Sequence, residues 1–444
     1  MMRIHFVLMV IVCGCADLHL PDAQAFDTDT STDDTNVSNT DDTETDTATQ
    51  DSTDTQSDTG MDTATQDDTE TDTQCRGLAD FSPCALTTTP EYPLDICVDG
   101  HCVSPGCDDA SCNPPGPHFP LADTYMRVCY SDVESISCPL DDSPFAGQDA
   151  QHGWDVTHTI DQRFPVDTDT GDTETAAPAT VTDLVTGLMW QTTGIWYEPW
   201  VFWEDARNRC SDLYHAGYND WRLPDVYELM SIVNLGRPSY VYMFDAAYVF
   251  TTFRADRFWT STTQSGQSDF AWTVNFQYGH VVPLAKSNTY YDVYAVCVRS
   301  MPTSGRTLTG SNVSGERIVT DSTNQLTWQG CAAGLAAEDC AQGTILEANW
   351  EGALLYCATL DFAGHTDWRL PDAVELASIV DYRFNDPSIQ SDLFPQTPPL
   401  PFWTSTARAL FPYEEGWIVD FSSGHRTLRD KSADGAIRCV RDDL

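Results

Sequence analysis

His280 and His425 close two matching phrases, "VNFQYGH" (274–280) and "VDFSSGH" (419–425). An imidazole titrates near neutrality and can move protons, so this pair is the first place to look for catalysis. The second place is the cysteines, of which there are 16; a thiolate is a nucleophile and a redox centre. Neither set has its usual accomplices. The histidines lack an obvious matching acid or serine, and no G-x-S-x-G, H-E-x-x-H or P-loop motif occurs. His280 and His425 are therefore expected to be structural or surface contacts, and no catalytic residue is assigned.

The histidine phrases belong to a longer repeat. "VTDLVTGLMWQ" (181–191) answers "VTDSTNQLTWQ" (319–329), and "GYNDWRLPDVYELMSIVN" (217–234) answers "GHTDWRLPDAVELASIVD" (364–381). "FWTST" occurs at 258–262 and 402–406, and "AVCVRS" (295–300) answers "IRCVRD" (437–442). Trp203, Ala206, Cys210 and Leu213 recur at helical spacing, as do Trp350, Leu354, Cys357 and Leu360. In the central phrase the proline suits the first turn of a helix, the following aspartate suits its positive end, and the helix is expected over Tyr227–Val233. Trp221 and Trp368 are candidate core anchors. Arg222 needs a carboxylate, Asp220 or Glu228, and Arg369 needs Asp367 or Glu375, because an unpaired buried guanidinium is costly. The alternating later segments are expected to be strands.

An apolar run, Ile4–Val12 after Arg3, has the length of an export signal and is too short to span a bilayer. The following Val12-Cys13-Gly14-Cys15 resembles a lipoprotein processing site; Cys15, preceded by glycine, fits lipidation better than Cys13. From Asp27 to Gln74 the chain is almost only Thr, Asp, Ser and Gln, with 14 Asp, 2 Glu and no Lys or Arg. Such a segment has too little to bury to offset its backbone entropy, and it is expected to be a disordered stalk. The whole chain carries 68 acidic against 22 basic residues, which makes nucleic acid a poor partner.

In an exported chain the other 14 cysteines are expected to be disulfides. Cys75, Cys84, Cys97, Cys102, Cys107 and Cys112 crowd a segment with few large apolar residues, a small stapled module whose pairing stays open. Cys129 and Cys138 flank a short turn, and so do Cys331 and Cys340, inside a connection that is longer in the second copy. Cys210 with Cys357, and Cys297 with Cys439, occupy equivalent places, which predicts the bonds Cys210–Cys297 and Cys357–Cys439.

Taken together, these phrases resemble the Lcl C-terminal domain family (formerly DUF1566) over about 181–300 and 317–442, and 129–154 looks like a lead-in seen in bacterial members. The resemblance implies an α+β chain of two tandem C-type-lectin-like domains, in a fold group shared with formylglycine-generating enzymes. The expected layout is a signal peptide (1–14), the stalk (15–74), the Cys-rich module (75–112), and two domains, 113–300 and 301–444. The family's namesake is an adhesin for sulfated glycosaminoglycans. The resemblance thus implies a surface binding role; joined to the lipidation reading of Cys15, the expectation is a non-catalytic surface lipoprotein, held by its lipid at the outer membrane or cell surface, that binds a glycan or a protein. The alternatives are a structural envelope protein and an oxidase of the formylglycine-generating kind. The acidic charge argues against sulfated polymers. "EPW" (198–200) and "NDW" (219–221) do not match the calcium-dependent sugar motifs of C-type lectins, so no metal or cofactor is assigned. Tyr240, Tyr242, Tyr290, Tyr291 and Tyr294 are candidate stacking residues. A ligand site is expected where the copies differ: 192–202, 235–257, 263–270, 286–294, 330–348, 382–401 and 407–415.

Overall fold

The α+β character comes from short helices laid on mixed, mainly antiparallel sheet. A computed structural model of the chain describes residues 116–139, 143–152, 160–164, 179–192, 201–237, 256–300, 306–409 and 413–443, with three short strands at Pro83–Cys84, Asp95–Val98 and His101–Val103. The signal peptide, Cys15, the stalk, the pairing of the six cysteines in 75–112, and Tyr240 and Tyr242 lie outside the described residues.

Each copy contributes two helices: α1 (Trp203–Ser211) and α2 (Val226–Ser231) from the first, α3 (Trp350–Ala358) and α4 (Ala373–Ser378) from the second. In α1 the residues Trp203, Ala206 and Cys210 are buried, the face their spacing predicts. The start of α2 differs from expectation. The helix begins one residue earlier and ends two earlier than Tyr227–Val233, and Pro224 stands outside it. Asp225 is the N-cap: its side chain accepts from the Glu228 N–H while Glu228 reaches back to the Asp225 N–H. This capping box, repeated by Asp372 and Glu375, sets the boundary more firmly than the proline does.

The central strands of the two copies are not split between two sheets. They form one sheet of nine strands. In chain order these are β1 (Arg257–Thr263), β2 (Phe270–Asn275), β3 (Val281–Ala285), β4 (Val293–Tyr294), β5 (Glu347–Ala348), β6 (Pro401–Ala407), β7 (Glu415–Asp420), β8 (His425–Asp430) and β9 (Gly435–Ala436). Their order in space is β4-β1-β2-β3-β8-β7-β6-β9-β5. Apart from β5 the order is a palindrome: β3 meets its own counterpart β8, antiparallel, with Val281 opposite Arg426. Antiparallel pairing of equivalent edges is what a local two-fold relation between the copies requires. The seam also satisfies the two edges, which would otherwise present unpaired N–H and C=O groups.

Outside this sheet each copy closes on itself. Leu188–Gln191 pairs with Val298–Ser300, and Leu326–Gln329 pairs with Val440–Asp442. Beside those closures lie the disulfides Cys210–Cys297 and Cys357–Cys439, whose cysteines are fully buried. Cys129–Cys138 and Cys331–Cys340 are also bonded, the latter around a hairpin of Leu335–Ala336 with Gln342–Gly343. One apolar cluster runs through both copies, from Trp190, Leu229 and Trp272 to Trp328, Leu376 and Trp417.

Candidate functional site

The repeated W-R-L-P phrase builds a corner, twice. Arg222 donates to both oxygens of Glu228 at 2.6 and 2.5 Å, and Arg369 to both of Glu375 at 2.7 Å. The other candidate acids, Asp220 and Asp367, take Arg299 and Arg441 from the terminal strands. The corner backbones bond to the same strands, Arg222 to Val298 and Arg369 to Val440, each in both directions. Trp221 and Trp368 are buried. Burial pushes the Glu228 carboxyl up, but the charge and hydrogen bonds of Arg222 outweigh it and hold Glu228 well below the usual range.

A second repeated device has no counterpart among the residues singled out from the sequence. The aspartates of the two "VTD" phrases, Asp183 and Asp321, grip Arg163 and Arg306. Each arginine reaches on to a helix carbonyl, that of Ser231 at 2.8 Å and that of Ser378 at 2.5 Å. The signal was the "VTD" repeat itself; its partners could not be seen because Arg163 and Arg306 lie outside the repeated segments.

Residues 116–152, ahead of the first copy, reach both corners. His118 approaches Glu228 at 3.3 Å and Asp225 at 3.8 Å. The ligand atoms of this trio lie within 4.8 Å of one another, a spacing a cation could bridge. Glu228, however, already accepts from Arg222 and from the Asp225 N–H, so a cation would have to compete with the guanidinium beside it. At the second corner Asp149 accepts from the hydroxyls of Thr124 and Thr406 at 2.8 and 2.5 Å. Burial and the nearby charge of Asp123 push the Asp149 carboxyl up to about 8, against the pull of those two hydroxyls.

These two contacts give residues 116–152 a pH dependence of one sign. Asp149 is raised from an ordinary 3.8, so the folded form loses stability as pH climbs from near 4 to about 8. Burial lowers the His118 pKa, but the hydrogen bond and charge of Glu228 outweigh it and the net shift is upward. Its contribution is present in acid and fades as pH rises through the raised value. Hydrogen exchange of peptides from 116–152, corrected for intrinsic rates, should show more protection at pH 6 than at pH 9. Asp149→Asn should flatten most of that difference; an equal difference in the variant would refute the assignment.

His280 and His425 lie at the seam, and each packs on the other copy. The His280 ring meets Trp417 edge-on at 5.8 Å, and His425 meets Trp272 at 5.4 Å. Burial, then the charges of Arg426, Arg408 and Arg257, lower His280 to about 4; burial also lowers His425, against Asp420. Both rings are therefore neutral at pH 7, and the Nε2 of each has no hydrogen-bond partner among the described residues. The glycines before them are needed. A Cβ on Gly279 (φ 75°) would come within 2.9 Å of Trp417, and one on Gly424 (φ 85°) within 3.1 Å of Tyr382.

Beside His425 the seam opens into a hollow of about 180 Å³. Its walls are the β1–β2 turn of the first copy, the 382–385 loop and the Ser422–Ser423 turn of the second, and Trp272. Ser265 ties the two sides by donating to the Arg383 carbonyl at 2.9 Å. Most of its lining falls on 263–270 and 382–401, two segments where the copies differ; Trp272 and the Ser422–Ser423 turn come from the repeated phrases. The candidate tyrosines divide: Tyr290 and Tyr291 are exposed, whereas Tyr294 is buried against Phe258 and is core.

The Lcl C-terminal domain model matches the chain twice, at residues 179–299 and 317–441. No curated protein matches the chain.

Proposed function

Because the chain belongs to the Lcl C-terminal domain family, with two copies sharing one sheet, we propose that it is a non-catalytic binding protein displayed at the cell surface. In this reading Cys15 carries the lipid anchor, the acidic segment 15–74 lifts the folded part away from the membrane, and each copy is C-type-lectin-like. The observation that carries it is the use made of the repeated chemistry. Both equivalent histidines are neutral packing groups, and both W-R-L-P arginines are neutralised by their own glutamates. The repeat cysteines are half-cystines, which removes the thiolate an oxidase of the formylglycine-generating kind would use. Among the described residues, the hollow at the seam is a space open to a ligand that this repeated chemistry does not fill.

The full chain, applied to a surface array of neutral glycans, sulfated glycans and extracellular-matrix proteins, should show saturable binding. That binding should survive chelation, since the calcium motifs of C-type lectins are not matched. Absence of saturable binding on every surface, or chemical turnover of a bound compound, would contradict the proposal.

A further inference from the structure

We infer that the seam hollow is a subsite for one uncharged, hydroxyl-rich ring, the terminal unit of a neutral glycan, gripped by side chains of both copies. This rests on the reading of the chain as a binding protein and assigns that reading a place and a chemistry.

The first observation is what the hollow lacks. The chain has a formal net charge of -46, yet among the described residues no carboxylate, ammonium, guanidinium or imidazole lines this space. A charged ligand would find no counter-ion there, and desolvating it without one is unfavourable. The polar lining is of another kind. Gln264 and Gln267 from the first copy and Asn385 from the second are amides, each with donors and an acceptor; Ser422 and Ser423 add hydroxyls. Groups that both donate and accept match a ligand whose own hydroxyls do the same.

The second observation is aromatic. Tyr382 and Trp272 are almost wholly buried in the wall, in edge-to-face contact at 4.7 Å, and the Tyr382 hydroxyl is held by the Gly424 carbonyl. They form a rigid backing. Phe384 also lines the hollow but remains 47% exposed. It is held in place, with the Arg383 guanidinium 5.4 Å from its ring centroid and that arginine fixed by both oxygens of Asp381. A fixed, half-exposed aromatic face beside an amide-lined hollow offers apolar contact to the C–H face of a pyranose while the amides meet its hydroxyls.

Third, the site belongs to the seam. The copy-one residues at the places of Tyr382 and Phe384 are Leu235 and Arg237, which offer neither ring. Leu235 stands against Gly279 as Tyr382 stands against Gly424, so the correspondence holds in space. The β1–β2 turn meets the second copy closely: a Cβ on Gly266 (φ 74°) would lie 3.3 Å from the Asn385 amide nitrogen. The size decides between one ring and several. At about 180 Å³ the hollow is below the roughly 300–1,000 Å³ of sites that enclose drug-sized ligands. One ring with few contacts binds weakly, with a Kd on the order of millimolar.

The test uses the full chain and a panel of methyl β-glucoside, methyl β-galactoside, methyl α-mannoside and N-acetylglucosamine, read by saturation-transfer NMR. At least one should bind with millimolar Kd, while glucuronate and a sulfated hexosamine should not. Phe384→Ala and Gln267→Ala, both at exposed positions, should each weaken binding tenfold or more; Tyr214→Ala, at an exposed tyrosine not lining the hollow, should leave it unchanged. No saturation transfer from any neutral sugar, or binding that both hollow variants retain, overturns the inference. Running the same variants on the array separates the two levels. If the wild-type chain binds the array and the hollow variants bind it equally, the binding reading stands and this site falls. If the wild type binds nothing, both fall.

Discussion

Replacing Cys357 and Cys439 together by alanine lowers the stability of the folded chain by about 4.5 kcal/mol, as the chain-entropy value of a bond closing a sequence separation of 82. The bond ties α3 to the segment that leads into the last strand, and both cysteines are fully buried. That figure is the freedom returned to the unfolded chain; poorer packing beside Trp350 and Trp403 adds to it. The bond Cys331–Cys340, of separation 9, is the internal control: the same expression gives about 2.6 kcal/mol. Urea titration of the two double variants should give midpoints in that order. Equal midpoints would show that loop closure is not what the longer bond contributes.

Trp417→Ala costs about 3–5 kcal/mol, the range for deleting a fully buried large aromatic. Its further consequence is specific to this fold. Trp417 lies on β7 of the second copy, but its ring packs on His280 of the first and against the place where a Gly279 Cβ would sit. The deletion should therefore loosen strands of the first copy too. Urea unfolding followed by hydrogen exchange should show β2 and β3 losing protection together with β7 and β8. Loss confined to the second copy would mean that the seam carries little of the stability.

Much of the scaffold is legible in the amino-acid sequence. Periodicity places Trp203, Ala206 and Cys210 on one helix face, and equivalence of position pairs Cys210 with Cys297 and Cys357 with Cys439. The need to neutralise Arg222 and Arg369 narrows the partners to two acids each, and the nearer in chain, Asp220 and Asp367, serve other arginines. The seam is not legible. Val281 and Arg426 sit in ordinary strand patterns, and a strand edge that pairs with another copy looks the same in sequence as one that faces water. The hollow is legible only as a place to look, because 263–270 and 382–401 are where the copies stop agreeing. Its polarity depends on which residues of distant segments meet, and that follows from the seam.

The central claim is that the two copies form one body, since the hollow exists only if both supply its walls. Native-state hydrogen exchange of the wild-type chain across a urea series tests this most directly. Peptides covering 270–285 and 415–430 should report the same opening free energy and the same urea dependence at every concentration. Two distinct opening transitions, with the strands of one copy exchanging while those of the other stay protected, would contradict the account.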